Sequence, residues 1–378
     1  MTQFSILTGL VLFSYVYFSF VSSISCSIIV RWMSAAVLLV VSMKFFIYRE
    51  IGGSLSAPAF PQPVMFMMEI LFSSVVVLFL LLMIKDAASA ALWAGNRLGL
   101  GITMPFSRFG VNMAVLAVSV VIGVYGKWQA VKVPEVNTVN ISITGLPDGL
   151  DGFSIVQLSD IHIGAFLKKS WLEKVVEKTN AAKPDIIAVT GDMIDGTPED
   201  LREDIAPLAG LRAGYGVYGV TGNHEYYFQA EKWVPVFSGL GIRMLSNEHV
   251  VLDVNGAGIV IAGVPDKTEK RFGGLGADID KTLTGAPETF RLLLAHQPTE
   301  NTGKADISLQ LSGHTHGGHM PLVSYLTARS NGGMLKGLYE RDGKLIYVSP
   351  GTGIWPGFSF RLGVPSEITR IVLKQQKD

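Results

Sequence analysis

The chain has 378 residues, of which 49% are hydrophobic and only 16% charged, and its mean hydropathy of +0.38 is too high for an ordinary soluble protein. Thirty-one basic side chains balance thirty-one acidic ones, so the sequence carries no electrostatic footprint for stable nucleic-acid binding. The single cysteine, Cys26, excludes an internal disulfide and a cysteine-based zinc site, leaving His, Asp, Asn and Glu to hold any metal.

The apolar excess falls in the first third. Phe4–Ile24, Ile28–Tyr48, Val64–Ile84 and Val111–Tyr125 approach the roughly twenty residues needed to span a bilayer; the last is short and must recruit Phe109 or Trp128 at its margins. Runs such as "VVVLFLLLMI" lack the polar face of a soluble helix. In the second stretch Arg31 and Lys44 lie near the ends, where long basic side chains snorkel to headgroups. Glu69 sits about a turn inside one end of the third, within reach of the interface or of a polar contact inside the bundle. The start, "MTQ", carries no basic side chain and no cleavage site follows, so the first stretch reads as a retained helix rather than a signal peptide. Ala87–Gly110, with Trp93, Arg97 and Arg108, reads either as a helix in the headgroup region or as a loop. Four spans put both ends of the chain on one side. Basic residues do not choose that side: Lys44, Arg49, Lys127 and Lys132 oppose Arg31, Lys85, Arg97 and Arg108.

From Lys127 onward the composition changes, which divides the chain into a transmembrane region, 1–126, and a second domain, 127–378. "VNTVNISI" alternates with period two. "FSIVQLSD", "DIIAVTGD", "VYGVTGNHE", "IVIAGVPD", "LLLAHQP", "ISLQLSGHTHG" and "LIYVSPGTG" are short β-branched runs, each ending in a turn rich in Gly, Asp, Asn or His. Between them "KSWLEKVVEKTNAA" spaces Trp171, Leu172, Val175 and Val176 as one helix face. Strands alternating with helices predict a layered α/β domain, and about 250 residues suffice for one core.

Polar residues gather where those strands end. "SDIHIG" supplies Asp160 and His162, "TGDMIDG" supplies Asp192 and Asp195, "TGNHEYY" supplies Asn223 and His224, "AHQP" supplies His296, and "GHTHGG" supplies His314 and His316. Six of the seven histidines lie in or beside these segments. Strand alternation predicts that Asp160 pairs with His162, and His314 with His316, each pair gripping one site. Ligands of open α/β sheets sit beyond the carboxyl ends of strands, where all five segments deliver their side chains. Two divalent ions roughly 3.5–4 Å apart need a shared carboxylate to offset their repulsion, and Asp192 is the natural bridge. Imidazole, carboxylate and amide oxygen together suit manganese, iron or zinc.

The order D-x-H, G-D-x-x-D, G-N-H-E, H-x-P, G-H-T-H resembles the calcineurin-like metallophosphoesterases, and "GNHEYY", "AHQP" and "GHTHGG" together are similar to their bacterial membrane-associated branch. The resemblance covers about Val136 to Leu373. It implies a four-layer β-sandwich flanked by helices, with one metal on Asp160, His162, Asp192 and His316 and a second on Asp192, Asn223, His296 and His314. It further implies that a hydroxide bridging the ions attacks phosphorus in line, with His224 near the leaving group and Asp195 orienting it. Where relatives often carry Gln after the last motif, this chain has His319, read as a surface residue or one supporting the ligands. Tethering to spans favours a phosphodiester or pyrophosphate borne by a membrane amphiphile. Trp355, Phe358 and Phe360 beside Arg361 read either as a headgroup contact or as sandwich-edge packing, and Tyr226, Tyr227 and Phe228 as a pocket wall or core. The alternative is a non-catalytic, metal-stabilised membrane scaffold; members that lose catalysis usually lose ligands or the G-N-H histidine, and none is missing here. By the same resemblance, the catalytic domain is expected on the extracytoplasmic side of a cell membrane crossed several times.

Overall fold

In the computed structural model, which describes residues 2–24, 26–101, 107–299, 303 and 305–376, the chain divides into two units, Met1–Gln129 and Ala130–Asp378. The first is helical. Among the described residues three helices are long and apolar enough to cross a membrane, Gln3–Ser23, Gln62–Arg97 and Arg108–Val131; Ile28–Ser42 with Lys44–Ile51 makes a fourth candidate, bent by 53°. Trp32, Met33, Val37 and Val40 are exposed on the second helix, the outward apolar face a lipid-facing helix presents. Val16, Phe20, Leu38, Leu78 and Leu82 form the buried seam of the unit.

Two expectations are corrected in this unit. Lys44 does not snorkel: its Nζ is buried 2.7 and 2.8 Å from the Glu69 carboxylate oxygens, over the rings of Phe45, Tyr48 and Phe72. The bend at Met43 turns the lysine inward, and an anion there offsets the cost of burying the ammonium. The segment from Ala87 to Arg97 is no separate element, because it continues the 36-residue helix Gln62–Arg97. At 1.5 Å per residue that helix is about 54 Å long, well beyond the roughly 30 Å of a hydrocarbon core. Residues 102–106 of the same stretch lie outside the described ones.

Among the described residues the second unit has twelve strands: β1 Glu135–Ile143, β2 Ser154–Leu158, β3 Ile186–Thr190, β4 Val217–Val220, β5 Arg243–Met244, β6 Glu248–Val254, β7 Ala257–Gly263, β8 Phe290–Leu294, β9 Leu309–Ser312, β10 Gly337–Arg341, β11 Lys344–Val348 and β12 Glu367–Gln375. They form two six-stranded sheets, ordered β1-β12-β2-β3-β4-β5 and β10-β11-β9-β8-β7-β6. β2 to β5 run parallel, as do β7, β8, β9 and β11. β12 lies antiparallel to β2 and parallel to β1.

Period-two alternation assigns each strand's side chains to layers. Ile155, Ile186, Ala188, Ile259, Ile261, Leu292, Leu294, Leu309 and Leu311 meet in the core between the sheets. The intervening Val156, Leu158, Ile187 and Val189 face the helices Lys169–Ala181, Pro198–Ile205 and Ala230–Gly239 through Leu172, Val175, Ile205, Trp233 and Phe237. Val260, Ala262 and Leu293 cover the other outer face with Ile279. Strands buried on both faces read as continuous apolar runs, as "IIAVT" does. The result is the four-layer α/β sandwich, flanked by helices, that the sequence predicts. β5, β6, β10 and β12 were not expected. β12 sits inside a sheet, but Glu367, Arg370 and Lys374 interrupt its β-branched run and hide its period.

Candidate metal centre

Parallel strands bring the ends of β2, β3 and β4 in one sheet to the ends of β8 and β9 in the other. Gln157 ties the sheets there, donating to Thr190 Oγ1 at 2.8 Å and to the Ser312 carbonyl at 2.9 Å. β2 stops at Leu158 and β9 at Ser312, so the ligand candidates stand beyond the strands. Asp160, His162, Asp192, His314, His316 and His319 all have positive φ, between 50° and 70°. Such non-glycine conformations cost about 1–3 kcal/mol each and persist where surrounding structure over-determines them. Strand alternation therefore does not set their directions. Asp160 and His162 group with His316, whereas His314 groups with Asp192 and His296, ligand atoms in each group lying within 4.8 Å of one another. The expectation that His314 and His316 grip one site together is thus overturned by the turn they occupy.

Close backbone approach holds the turns. The amides of Asp160 and His162 donate to the carbonyls of Gly191 and Asp192, both at 3.0 Å. A Cβ on Gly222 would lie 2.2 Å from Asp192 Oδ1, so only glycine admits that carboxylate. Glu225, to which sequence reasoning gave no role, is fully buried. It accepts from the amides of Gly222 (2.6 Å), Asp192 (2.9 Å) and Met193 (2.7 Å), clamping the turn after β3 to the turn after β4. Its signal was local: it is the third residue of the helix Asn223–Tyr227, where a glutamate reaches back to the capping amide.

Hydrogen bonds decide which nitrogens face inward. His296 Nδ1 donates to the Thr190 carbonyl at 2.7 Å. His162 Nδ1 lies 2.9 Å from Asp195 Oδ2, and His224 Nδ1 lies 2.5 Å from Asp195 Oδ1; a carboxylate only accepts, so both nitrogens donate. The Nε2 atoms of His162, His224 and His296 are left facing Asp192 Oδ2 at 3.8, 3.9 and 3.2 Å. His162 Nε2 also stands 3.2 Å from His316 Nε2, which is 3.5 Å from Asp160 Oδ1. Asp160 itself accepts from the Ser159 hydroxyl at 2.6 Å and the His314 amide at 3.0 Å.

The charges follow. Burial disfavours the ionised form of Asp192, but His296 and His224 outweigh it and hold its pKa well below the carboxylate range. Burial likewise opposes the charged imidazoles of His296 and His224, yet Asp192 raises both, His296 well above its ordinary value and His224, with Asp195 adding, to about 9. Burial and the nearby His296 push His314 down to about 4. Burial, His162 and His319 push His316 down.

Around the centre, His224 has Tyr227 at 5.2 Å and Phe228 and Trp355 at 6.5 Å between ring centroids. Tyr227 and Asn223 share with His314, Gln297, Lys267, Lys270 and Arg271 the lining of a cleft of about 420 Å³, so the near-neutral chain turns a basic wall to its site. The headgroup reading of Phe360 and Arg361 is corrected. Both are buried, and Arg361 donates to the carbonyls of His316, Pro350, Gly353 and Val364, stapling three turns. His319 is no surface residue either: it is buried, stacked at 5.2 Å on His316, and belongs to none of the ligand groups.

The residues fit a pair of cations. Asn223 Oδ1 and His296 Nε2 are buried without a hydrogen-bond partner, an expensive condition for polar atoms that a cation relieves. In the neutral form their Nδ1 contacts leave, the inward lone pairs of His162 and His296 converge with the Asp192 carboxylate as ligands of a cation would. Fold and site together define a layered α/β sandwich with a candidate divalent-metal centre at its strand ends. A family model described as calcineurin-like phosphoesterase matches residues 153–318. An uncharacterized metallophosphoesterase of Helicobacter pylori is 33% identical over 280 residues, 72% of this chain and 72% of its own length. Another, from Aquifex aeolicus, is 31% identical over 261 residues, 68% of this chain and 98% of its own. A transmembrane protein with metallophosphoesterase domain from Danio rerio is 36% identical over 279 residues, 71% of this chain. The chain spans 63% of the length of that relative and 61% of its Bos taurus counterpart. The chain belongs to the calcineurin-like metallophosphoesterase family, whose members use divalent metal ions, and it carries apolar helices that could span a membrane.

Proposed function

We propose that the protein hydrolyses a phosphodiester or pyrophosphate bond of a membrane-borne substrate, using two divalent cations shared through Asp192. The observation that carries this reading is the convergence of Asp160, His162 and His316 on one side and of Asp192, His296 and His314 on the other, beside the buried, unpartnered Asn223 Oδ1 and His296 Nε2. Manganese, iron or zinc suits these donors. Once bound, the cations would supply Lewis-acid polarisation of the phosphoryl oxygens and a water acidified enough to attack. The chain supplies the rest. Thr190 and Asp195 keep the Nδ1 protons of His296 and His162 in place, so that both present lone pairs inward. His224, fixed by Asp195 at Nδ1 and turning Nε2 inward, is placed to deliver a proton to the leaving oxygen. Lys267, Lys270 and Arg271 draw an anionic ester into the cleft. By its resemblance to exported bacterial members, the catalytic unit is assigned to the extracytoplasmic side.

The test is turnover of a chromogenic phosphodiester and of the matching monoester by detergent-purified protein, stripped of metal and resupplied with manganese. Manganese-dependent diester cleavage that disappears in Asp192→Asn is expected. Protein that binds two metals yet cleaves neither ester would favour the scaffold alternative.

A further inference from the structure

The helix Pro321–Ser330 presents large apolar side chains to its surroundings. Its exposed face carries Leu322, Tyr325 and Leu326, which are 57%, 66% and 59% exposed, with Arg329 one turn further on. Its inner face carries Val323, Ser324, Thr327 and Ala328, all half-buried, the two hydroxyls donating to the carbonyls of Met320 and Val323. None of its residues is buried. Water offers no reason for a helix to gather two leucines and a tyrosine on its exposed face. A second apolar pair, Phe272 and Leu275, is 57% and 83% exposed and follows Lys270 and Arg271 of the basic wall. Thr299 touches the flanks of both segments: its hydroxyl accepts from Lys267 Nζ at 3.2 Å, and its Cγ2 would be 3.3 Å from a Cβ on Gly332. Both adjoin the metal centre: Ser324 Oγ donates to the Gly317 carbonyl at 3.2 Å, next to His316, and the Phe272 ring lies 6.3 Å from that of Tyr227.

We propose that the helix Pro321–Ser330, together with Phe272 and Leu275, is a bilayer-docking surface that seats the catalytic unit on anionic lipid. The occupant follows from the chain itself. Only residues 132–134 separate the last apolar helix from β1, a tether of about 10 Å at full extension, so a bilayer is the surface this unit meets most. A leucine and tyrosine face flanked by arginine suits the headgroup boundary, where tyrosine keeps its hydroxyl wet and arginine extends to phosphate. Lys270, Arg271 and Arg329 complement anionic headgroups. As a route by which a lipid-borne ester reaches the cleft, the surface rests on the phosphoesterase reading; as a docking surface it does not.

The experiment uses full-length Cys26→Ser protein with single cysteines at Leu322, Tyr325, Leu326, Phe272 and, as control, Glu340. Each is labelled with an environment-sensitive fluorophore and reconstituted in nanodiscs of phosphatidylcholine with or without phosphatidylglycerol, with nitroxide-bearing lipid as quencher. Blue-shifted emission quenched by the lipid nitroxide is expected at the first four positions, more strongly with phosphatidylglycerol, and not at Glu340. Quenching no greater than at Glu340 in either lipid overturns the proposal, as does shielding that persists in detergent and tracks protein concentration, which would make a second copy the occupant. A Leu322→Asp, Tyr325→Asp, Leu326→Asp variant should lose about tenfold in turnover of a phosphodiester lipid in those discs with the soluble diester unchanged; equal rates on the lipid overturn the docking role. If the parent protein cleaves neither ester, the phosphoesterase reading fails and the quenching alone decides the docking.

Discussion

Asp195 contacts no substrate in this reading, yet replacing it by asparagine should disable the centre. One carboxylate serves two imidazoles, Oδ2 accepting from His162 Nδ1 at 2.9 Å and Oδ1 from His224 Nδ1 at 2.5 Å. An amide offers one acceptor and one donor, so Asp195→Asn sets an N–H against one of the two Nδ1–H groups in a fully buried place. The imidazole facing the donor must move its proton to Nε2 or lose its partner. If His162 does so, it can no longer ligate, and loss of such an outer partner typically costs about 10–100-fold in metal affinity. If His224 does so, its position at the leaving group changes, and in both cases the negative charge that helps raise His224 to about 9 is gone. Competition against a fluorescent chelator measures the affinity, ring-nitrogen NMR reads the tautomers, and a pH–rate profile reads His224. A merely structural role would leave the tautomers and the alkaline limb unmoved. Metal affinity and pH profile both unchanged from the parent would refute the reasoning.

Protonation of His224 also bears on stability. In the metal-free protein its pKa is raised to about 9 against an unfolded value near 6.5. A raised imidazole stabilises most below the unfolded value, so its contribution, about 3 kcal/mol from the difference, is complete below about pH 6.5 and vanishes as pH rises through about 9. Melting of metal-free parent and His224→Gln between pH 6 and 10 should show a steeper loss in the parent; parallel curves would count against the assignment. Gly222→Ala places a Cβ 2.2 Å from Asp192 Oδ1 and 2.5 Å from the Asp192 amide. It should abolish metal binding while far-ultraviolet circular dichroism stays near that of the parent, and retained stoichiometric binding would show that the turn can yield.

Much of this was legible in the sequence because the signals are local. Span length and unbroken apolar runs mark stretches such as Val64–Ile84, the apolar part of the helix Gln62–Arg97, and runs like "SIVQL" and "IIAVT" mark strands buried on both faces. Glycine, Asp, Asn and His at the strand ends mark where a ligand sits, because a polar group next to a turn after a buried strand needs a purpose. These are nearest-neighbour properties, and one chain displays them without being folded.

Directions and partners were not legible in residue type and spacing; the division of His314 and His316 between two ligand groups was implied only by the family resemblance. That His316 turns to Asp160 and His162 while His314 turns to His296 depends on left-handed turns held by amides from other strands. The inward Nε2 atoms depend on Thr190 and Asp195, far from them in sequence. Arg361 looked like a headgroup contact because a basic residue among aromatics is ambiguous until four carbonyls are seen to surround it. Lys44 looked like an interfacial lysine until Glu69, 25 positions away, was brought against it. Residue type and spacing thus marked out the apolar spans and the polar residues that gather into candidate metal-binding groups. Only the tertiary structure decided which atoms face each other, because buried charge and tautomer are set by partners that the chain meets only after folding.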